Sequence, residues 1–430
     1  MDFDAFFDVK NDTSNIWALL VAGSNSWYNY RHQADVSNAY HVIRDHGVSE
    51  DHIVTMMFND IANHPNNPFP GKIFNSPDKE DVYEGVKIDY EGNDVNPSNF
   101  FAILKGQKDK IVGGNGKVIE STKKDKIFIF FSDHGATGLI SMPQGIITAE
   151  EISEAHNYLH QNGLYSSLVW YLEACESGSM FESLKSDMNI YALTAANSHE
   201  SSWGCYCDNK LKLPCLGDTF SVSWIMDSKK ENLEVETLDD QYEIVKKLTN
   251  QSHVCKFGNF SIGHEHVAEF QGHKKSFKNS KPINFHRFKH ELNKGSMPSR
   301  DIPLLLLQKE LLEAQNHADS VDLSRQISKI ESKRQYMDRY IHKIVKRLIH
   351  DPNNRQAVLE NHPLNGIKQL KCHDVVSKFY HHNCFNLNRN PYAMKYVYVL
   401  ANICDMNIPS EIIINGLSEV CGTVRITNIL

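Results

Sequence analysis

The sequence predicts an α/β domain, a mostly parallel sheet covered by helices, followed by a separate all-α module. Three observations carry this. Between Ile16 and about Phe270, short apolar and β-branched runs alternate with stretches of helical spacing. Those runs are apolar at nearly every position, as strands buried on both faces are, rather than alternating as half-exposed strands do. After Ile302 the character changes. Leu304, Leu307, Leu311 and Leu312, then Ile327, Ile330, Met337, Tyr340, Ile341, Ile344 and Leu348, recur at helical intervals.

The strand-like runs are Trp17 to Ala22, Ile53 to Phe58, Ile127 to Phe131, Leu168 to Leu172 and Ile190 to Thr194. Ala34 to His46 and Ala149 to Asn162 read as helices between them. Residues 271–300 are polar, rich in Lys, His, Asn and Ser, and contain Pro282 and Pro298, which predicts a linker or wrapping segment. The remainder is predominantly helical, with Asn and Pro breaks near 352–364 and 386–391. The expected division is 1–15 as an N-terminal segment, 16–275 as the α/β domain, 276–316 as a linker and 317–430 as the helical module.

Length and composition fit an ordinary globular protein: 430 residues, 41% of them hydrophobic, suffice for at least one large core. The longest apolar run, Ile302 to Leu307, falls far short of the roughly 18–20 residues a membrane helix needs. No membrane span is expected. Met1 to Ala5 lack a basic n-region and an apolar h-region, so no signal peptide is read there. The net charge of −8 conceals an asymmetry: residues 1–280 hold 24 Lys and Arg against 39 Asp and Glu, whereas residues 281–430 hold 21 against 14. Halves of opposite sign attract, and protonation of carboxylates in acid weakens that attraction. The basic half mixes its charges rather than clustering them with aromatics, so no nucleic-acid partner is expected.

Nine cysteines leave at least one unpaired. Four of them, Cys372, Cys384, Cys404 and Cys421, suit two disulfides in a small terminal module. Cys372-His373 and His381-His382-Asn383-Cys384 also admit a zinc reading, although the spacing fits no common finger. Sequons stand at Asn11, Asn250 and Asn259.

Two apolar runs end in reactive residues. Ile127 to Phe131 leads into Ser132-Asp133-His134-Gly135, and Leu168 to Leu172 leads into Glu173-Ala174-Cys175-Glu176. In open parallel sheets the carboxyl ends of strands form the functional crevice, so an imidazole and a thiol delivered there are placed to meet. A thiol becomes a strong nucleophile only as its thiolate, which a neighbouring imidazole favours. Gly135 is expected to let substrate approach the backbone, with its N–H and that of Cys175 holding an oxyanion. A single Cys after an apolar strand is ordinarily core. The pair, an apolar block then His-Gly and, 41 residues on, an apolar block then Ala-Cys, is far more specific.

That pair resembles the motif of the caspase-like cysteine peptidases. The strings Val21 to Asp35, Ser132 to Gly135, Glu173 to Met180, Thr194 to Asn197, Glu200 to Trp203 and Leu216 to Asp218 resemble, in order, the motifs of the legumain (asparaginyl endopeptidase) family. The resemblance implies a caspase-like peptidase domain, a linker serving as activation peptide and a death-domain-like prodomain. It implies Cys175 as nucleophile, His134 as base, Asn29 as the group orienting the imidazole, and an S1 pocket of Arg31, His32, Glu173, Ser202 and Asp218. Such a pocket donates to the side-chain carbonyl of a substrate Asn and accepts from its NH₂, which predicts Asn over Gln, and Asp only when protonated. By the same resemblance Asp133 is a site of succinimide formation tied to peptide ligase activity. Asn316 is the self-cleavage site, and the disulfides are Cys372–Cys404, Cys384–Cys421 and Cys207–Cys215. Cys205 and Cys255 are read as inert buried thiols.

The implied partners are protein and peptide substrates, the chain's own prodomain as intramolecular inhibitor, and cystatin-type inhibitors. No cofactor and no metal is implied, and the location implied is lysosomal, endosomal, vacuolar or secreted. Two other functions share part of this pattern. The catalytic subunit of a GPI transamidase shares the His and Cys but lacks this prodomain and carries a membrane helix. An inactive binding relative requires the loss of His134, Cys175 or Asn29, and all three are present.

Overall fold

A computed structural model describes residues 15–273, 285–363, 366–422, 424 and 426–430. The sequon at Asn11 and residues 276–284 of the expected linker lie outside the described residues. In chain order come β1 (Ile16–Ala22), α1 (Tyr30–Asp45), β2 (Ile53–Met56), α2 (Pro97–Leu104) and β3 (Lys126–Ser132). A small antiparallel sheet of β4 (Gly135–Ala136), β5 (Leu139–Met142) and β6 (Gly145–Thr148) precedes α3 (Ala149–Gln161), β7 (Ser167–Glu173) and β8 (Ile190–Thr194). Then follow β9 (Trp203–Cys205), β10 (Gly217–Asp218), α4 (Thr219–Lys230), α5 (Leu238–Leu248), β11 (Cys255–Gly258) and α6 (Ala268–Gln271).

The central sheet has the order β11-β8-β7-β3-β1-β2, parallel throughout except for the antiparallel edge strand β11. Its strands are apolar on both sides because each side meets a core. Trp17, Leu19, Ile129, Phe131, Trp170 and Leu172 pack on one face. Ala18, Leu20, Phe128, Phe130, Val169 and Tyr171 pack on the other. Complete burial of one such large side chain contributes about 1.5–3 kcal/mol, so these ten-odd positions fix both the sheet and its register. Helix α3 starts where it does because Thr148 and Glu151 form a reciprocal capping box.

The C-terminal region is helical, as its periodicity requires: α7 (Phe285–Asn293), α8 (Ile302–Glu313), α9 (His317–Leu348), α10 (Pro352–Glu360), α11 (Leu370–Asn383), α12 (Val397–Asp405) and α13 (Ser410–Cys421). One strand interrupts it, β12 (Met297–Pro298), which joins β9 and β10 in a second small sheet. The part of the expected linker beyond residue 284 is therefore folded onto the α/β body rather than strung between two modules. Helices α9 to α13 share one core, and that core includes Ala136, Leu139 and Ile146 of the β4–β6 sheet, whereas α7 and α8 pack into separate clusters. Docking is thus largely apolar, with a few polar ties: Lys378 to Glu151 at 2.7 Å, Thr148 to Asp374 at 2.6 Å and Lys309 to Asp208 at 2.6 Å. Among the described residues the charge asymmetry of the two halves is realised in few ion pairs. No described helix is long and apolar enough to cross a membrane.

Candidate active site

Strands β3 and β7 are neighbours in register, with Ser132 opposite Glu173, so the residues that follow each strand leave the sheet side by side. The Asp133 N–H donates to the Glu173 carbonyl at 3.0 Å, and the two chain ends stay together beyond the last ladder pair. A Cβ at position 135 would lie 2.4 Å from the Cys175 carbonyl oxygen and 2.9 Å from the Ala174 Cβ. Glycine is thus required there for the close approach of the two loops.

The His134 ring is held through Nε2, 2.8 Å from Asn29 Oδ1, while Asn29 Nδ2 donates to the Asn25 carbonyl at 2.8 Å. That second bond fixes which end of the amide faces the ring. Nε2 is therefore the protonated nitrogen and Nδ1 carries the lone pair. Asn29 stands at the N-cap of α1 yet makes no capping bond, its side chain being committed to His134. Burial first, then the charges of Arg31 and Arg300, push the His134 imidazole well below its ordinary range, so it is neutral. Cys175 Sγ lies 3.2 Å from Ser201 Oγ and 3.7 Å from Ser202 Oγ. Among the described residues no hydrogen bond joins the sulfur to the imidazole. Burial raises the thiol and Arg300 opposes that rise. Both shifts favour thiol and imidazole over thiolate and imidazolium in the latent chain.

Behind this pair, the first turns of α1 bring Arg31, His32 and Asp35 to the carboxyl ends of the strands, all buried. Arg31 Nε donates to Asp218 Oδ1 at 2.9 Å and Nη1 to the Tyr28 carbonyl at 3.2 Å. Glu173, the last residue of β7, accepts through Oε2 from both the N–H and the hydroxyl of Ser221. Asp35 accepts from Asn75 at 2.8 Å and from the Asp218 N–H at 3.2 Å. Burial raises the carboxyls of Asp35, Glu173 and Asp218; repulsion from neighbouring carboxylates adds to the rise at Asp35 and Glu173, whereas the Arg31 guanidinium opposes it at Asp218. His32 Nδ1 meets Ser24 Oγ at 2.6 Å, and burial keeps the ring neutral. Asp133 is raised well above its usual range by burial. His32 Nε2, Glu173 Oε1, Asp218 Oδ2 and both oxygens of Asp133 have no hydrogen-bond partner among the described residues. Such a concentration of orphaned buried polar atoms is unusual in a folded protein and marks a site shaped for a polar ligand.

The chain itself lies along this site. Strand β12 pairs antiparallel with β9, Met297 opposite Gly204 and Pro298 opposite Trp203, and the Ser299 N–H donates to the Ser202 carbonyl at 2.9 Å. Arg31 Nη2 donates to Ser299 Oγ at 2.5 Å. Arg300 then crosses toward the sulfur: its Nη2 donates to Glu176 Oε2 at 2.7 Å and to the Gly135 carbonyl at 2.9 Å, and its Nη1 to Glu176 Oε1 at 3.2 Å. Asp301 pairs with Arg334 of α9 at 2.5 Å. Sequence reasoning missed Ser299, Arg300, Asp35 and Ser201. Only the position of Ser299 and Arg300, just ahead of the apolar run at Ile302, sets them apart from the polar stretch before them.

The Peptidase C13 family matches residues 16–273, and a family described as legumain, prodomain, matches residues 325–421. The chain belongs to the peptidase C13 family. Legumain of Rattus norvegicus is 40% identical over 417 residues, covering 96% of this chain and 94% of its own. Hemoglobinase of Schistosoma japonicum is 40% identical over 426 residues, 98% and 96% of the two chains. The vacuolar-processing enzyme delta-isozyme of Arabidopsis thaliana is 37% identical over 444 residues, 98% and 93%. This C13 peptidase is a cysteine endopeptidase of the legumain, asparaginyl type, and it carries its prodomain.

In this legumain-type chain Cys207 is joined to Cys215, Cys372 to Cys404 and Cys384 to Cys421. The latter two disulfides consume the four C-terminal cysteines and remove the zinc reading. Cys205 is buried, and its thiol is raised well above the usual range by burial. Cys255 is half-buried and pushed up to about 11, so it too stays protonated. Asn316 is exposed in the short connector between α8 and α9, where its side chain caps α9 by accepting from the Asp319 N–H. Asn250 is exposed, whereas Asn259 is half-buried and bonded to Asn189 and to the Ser261 N–H.

Proposed function

We propose that Cys175 and His134 carry the endopeptidase reaction and that Arg31, Glu173 and Asp218, with His32 and Ser202 beside them, select Asn. His134 Nδ1 takes the thiol proton as the sulfur attacks the carbonyl carbon of the substrate Asn. The N–H groups of Gly135 and Cys175 stabilise the oxyanion, and the proton passes to the leaving amine. Water, deprotonated by His134, then attacks the thioester and releases the new carboxyl group. Asn29 is a positioning residue, fixing the tautomer. The observation that carries the selectivity is the set of orphaned acceptors, Glu173 Oε1 and Asp218 Oδ2, beside a guanidinium whose Nη2 is taken by the Ser299 hydroxyl of the chain's own segment. A carboxamide satisfies both kinds of group at once. Asp matches them only with its proton on. Fluorogenic peptides Ala-Ala-X, with X as Asn, Gln or Asp, test this on the self-processed enzyme. Asn is expected to exceed Gln by about 10² in kcat/KM, because one extra methylene carries the same carboxamide past its partners. Asp is cleaved only in acid. Equal rates for Asn and Gln sink the reading.

We further propose that the prodomain is released by acid and that His373 senses it. His373 of α11 is buried, its Nε2 2.9 Å from the Thr137 carbonyl, and a Cβ on Gly138 would meet its ring at 2.9 Å. Burial lowers it from 6.5 to about 4, against opposing contributions from the Thr137 carbonyl, Asp374 and Asp405. A histidine depressed on docking leaves the contact intact above its free value. Between about pH 6.5 and 4 the undocked form takes up a proton that the docked form refuses, a bias of up to about 3 kcal/mol toward release. Among the interface carboxyls the signs differ: burial raises Glu150 and Glu310, so acid does not separate the halves through them, whereas the hydrogen bond and charge of Lys309 hold Asp208 down, so its protonation adds to release. His373→Gln keeps a donor for Thr137 and removes the titration. In a chain cut after Asn316 it is expected to move the midpoint of fragment separation, followed by light scattering, to lower pH. An unchanged midpoint rules out His373 as the sensor.

A further inference from the structure

The residue next to the sulfur is built as a receptor for a cation. Glu176 is not glycine, yet its backbone sits in the left-handed region at φ 49°. L-residues reach that region only when their surroundings hold them there, and such positions concentrate where a side chain must be aimed. Here the holding groups are two backbone contacts and one hydroxyl. The Glu176 N–H donates to the Glu200 carbonyl at 2.8 Å, and the Glu176 carbonyl accepts from the Ser179 N–H at 2.9 Å and the Ser179 hydroxyl at 2.5 Å. The carboxylate that results is almost fully buried, and both its oxygens take the fork of Arg300. The Gly135 carbonyl, one residue from His134, takes a third contact from the same guanidinium.

The direction of the chain gives this receptor a place in the reaction. Residues 297–299 run antiparallel to β9 and bring Ser299 to Arg31, where the Asn of a substrate is read. The residue that follows, Arg300, therefore stands on the leaving-group side of Cys175. From this we infer that Glu176 and the Gly135 carbonyl form the subsite for the residue immediately after the cut, and that it selects Arg, with Lys second. The inference rests on the asparaginyl reading of Arg31, Glu173 and Asp218. Arg leads because two parallel N–H bonds match the carboxylate and a further N–H reaches the carbonyl, whereas the ammonium of Lys meets the carboxylate as a point charge. The competing account makes the pair a latch of the precursor alone, with no influence on substrates once the prodomain has gone.

Internally quenched peptides Ala-Ala-Asn-Y-Gly, with Y as Arg, Lys, Ala or Glu, separate the two accounts on enzyme produced by self-processing of the full chain. Arg is expected to exceed Ala in kcat/KM by about tenfold or more, as one charge-assisted bidentate contact allows, and Glu to be slowest. In Glu176→Gln the ratio of Arg to Ala falls toward one, and in Glu176→Lys the order of Arg and Glu reverses. Ratios within one variant are unaffected by any general loss of activity, and the wild-type series stands if the charge-reversed variant does not fold. An Arg to Ala ratio near one in the wild type, with Asn still preferred over Gln before the cut, overturns the subsite and leaves the asparaginyl reading intact. Failure to cleave after Asn with every Y overturns both.

Discussion

Cys175→Ala is expected to leave less than about 10⁻⁴ of the peptidase activity, and His134→Ala the same, because nucleophile and base act as one unit. The double variant is expected to be no worse than either single one. Neither group is activated in the latent chain: the thiol is raised by burial, and the imidazole is neutral and makes no hydrogen bond to the sulfur. Removing either partner leaves only substrate binding and the oxyanion donors. Asn29→Ala is expected to cost less, on the order of 10–10²-fold, since the ring keeps its place beside His32, 5.0 Å away edge to face, and loses only its tautomer lock. Rates on the Ala-Ala-Asn peptide measure all four variants. The unfolding temperature of Cys175→Ala should stay within a few degrees of the parent, the sulfur having only hydroxyls as partners. Residual activity above about a hundredth in Cys175→Ala would move the nucleophile elsewhere.

Much of the sheet was legible because burial on both faces leaves a plain mark. The runs at Trp17, Ile127, Leu168 and Ile190 became β1, β3, β7 and β8 within one residue at each end. The run from Ile53 closes at Met56, since Met57 and Phe58 already turn toward the Tyr90 and Gly92 segment. What stayed hidden depends on contacts distant in sequence. The two-residue strands β4, β9-facing β10 and β12 have no period to read, and the half-buried edge strand β11 lacks an apolar run. Asp35 was invisible as a participant because α1 is buried on nearly every side, so its polar residues carry no face. His134 and Cys175 were visible through the strands that deliver them. Ser299 and Arg300 were not, because polar residues that bind a charged cleft have the composition of a linker.

Ser299→Asn is expected to turn the latent chain into its own substrate. The segment already lies antiparallel along β9, anchored by the Ser299 N–H on the Ser202 carbonyl, and the serine hydroxyl engages Arg31. A hydroxyl answers the guanidinium but leaves Glu173 Oε1 and Asp218 Oδ2 unpaired. The carboxamide of Asn supplies an oxygen for Arg31 and two N–H donors for those acceptors. The peptide bond to Arg300 is then presented with the side chain that the site recognises, and cleavage at 299 is expected to exceed that of the parent at the same bond by at least about 10², the discrimination already argued for Asn over poorly matched groups. The three disulfides all lie within one side of that cut, so the fragments 1–299 and 300–430 have no covalent tie. Mass spectrometry of the undigested chain, with Cys175→Ala, Ser299→Asn as the uncut control, reads the outcome. If Ser299→Asn stays whole while the prodomain only holds more tightly, the segment fills the pocket but its carbonyl is out of reach of the sulfur. Inhibition would then rest on a displaced register rather than on the missing carboxamide.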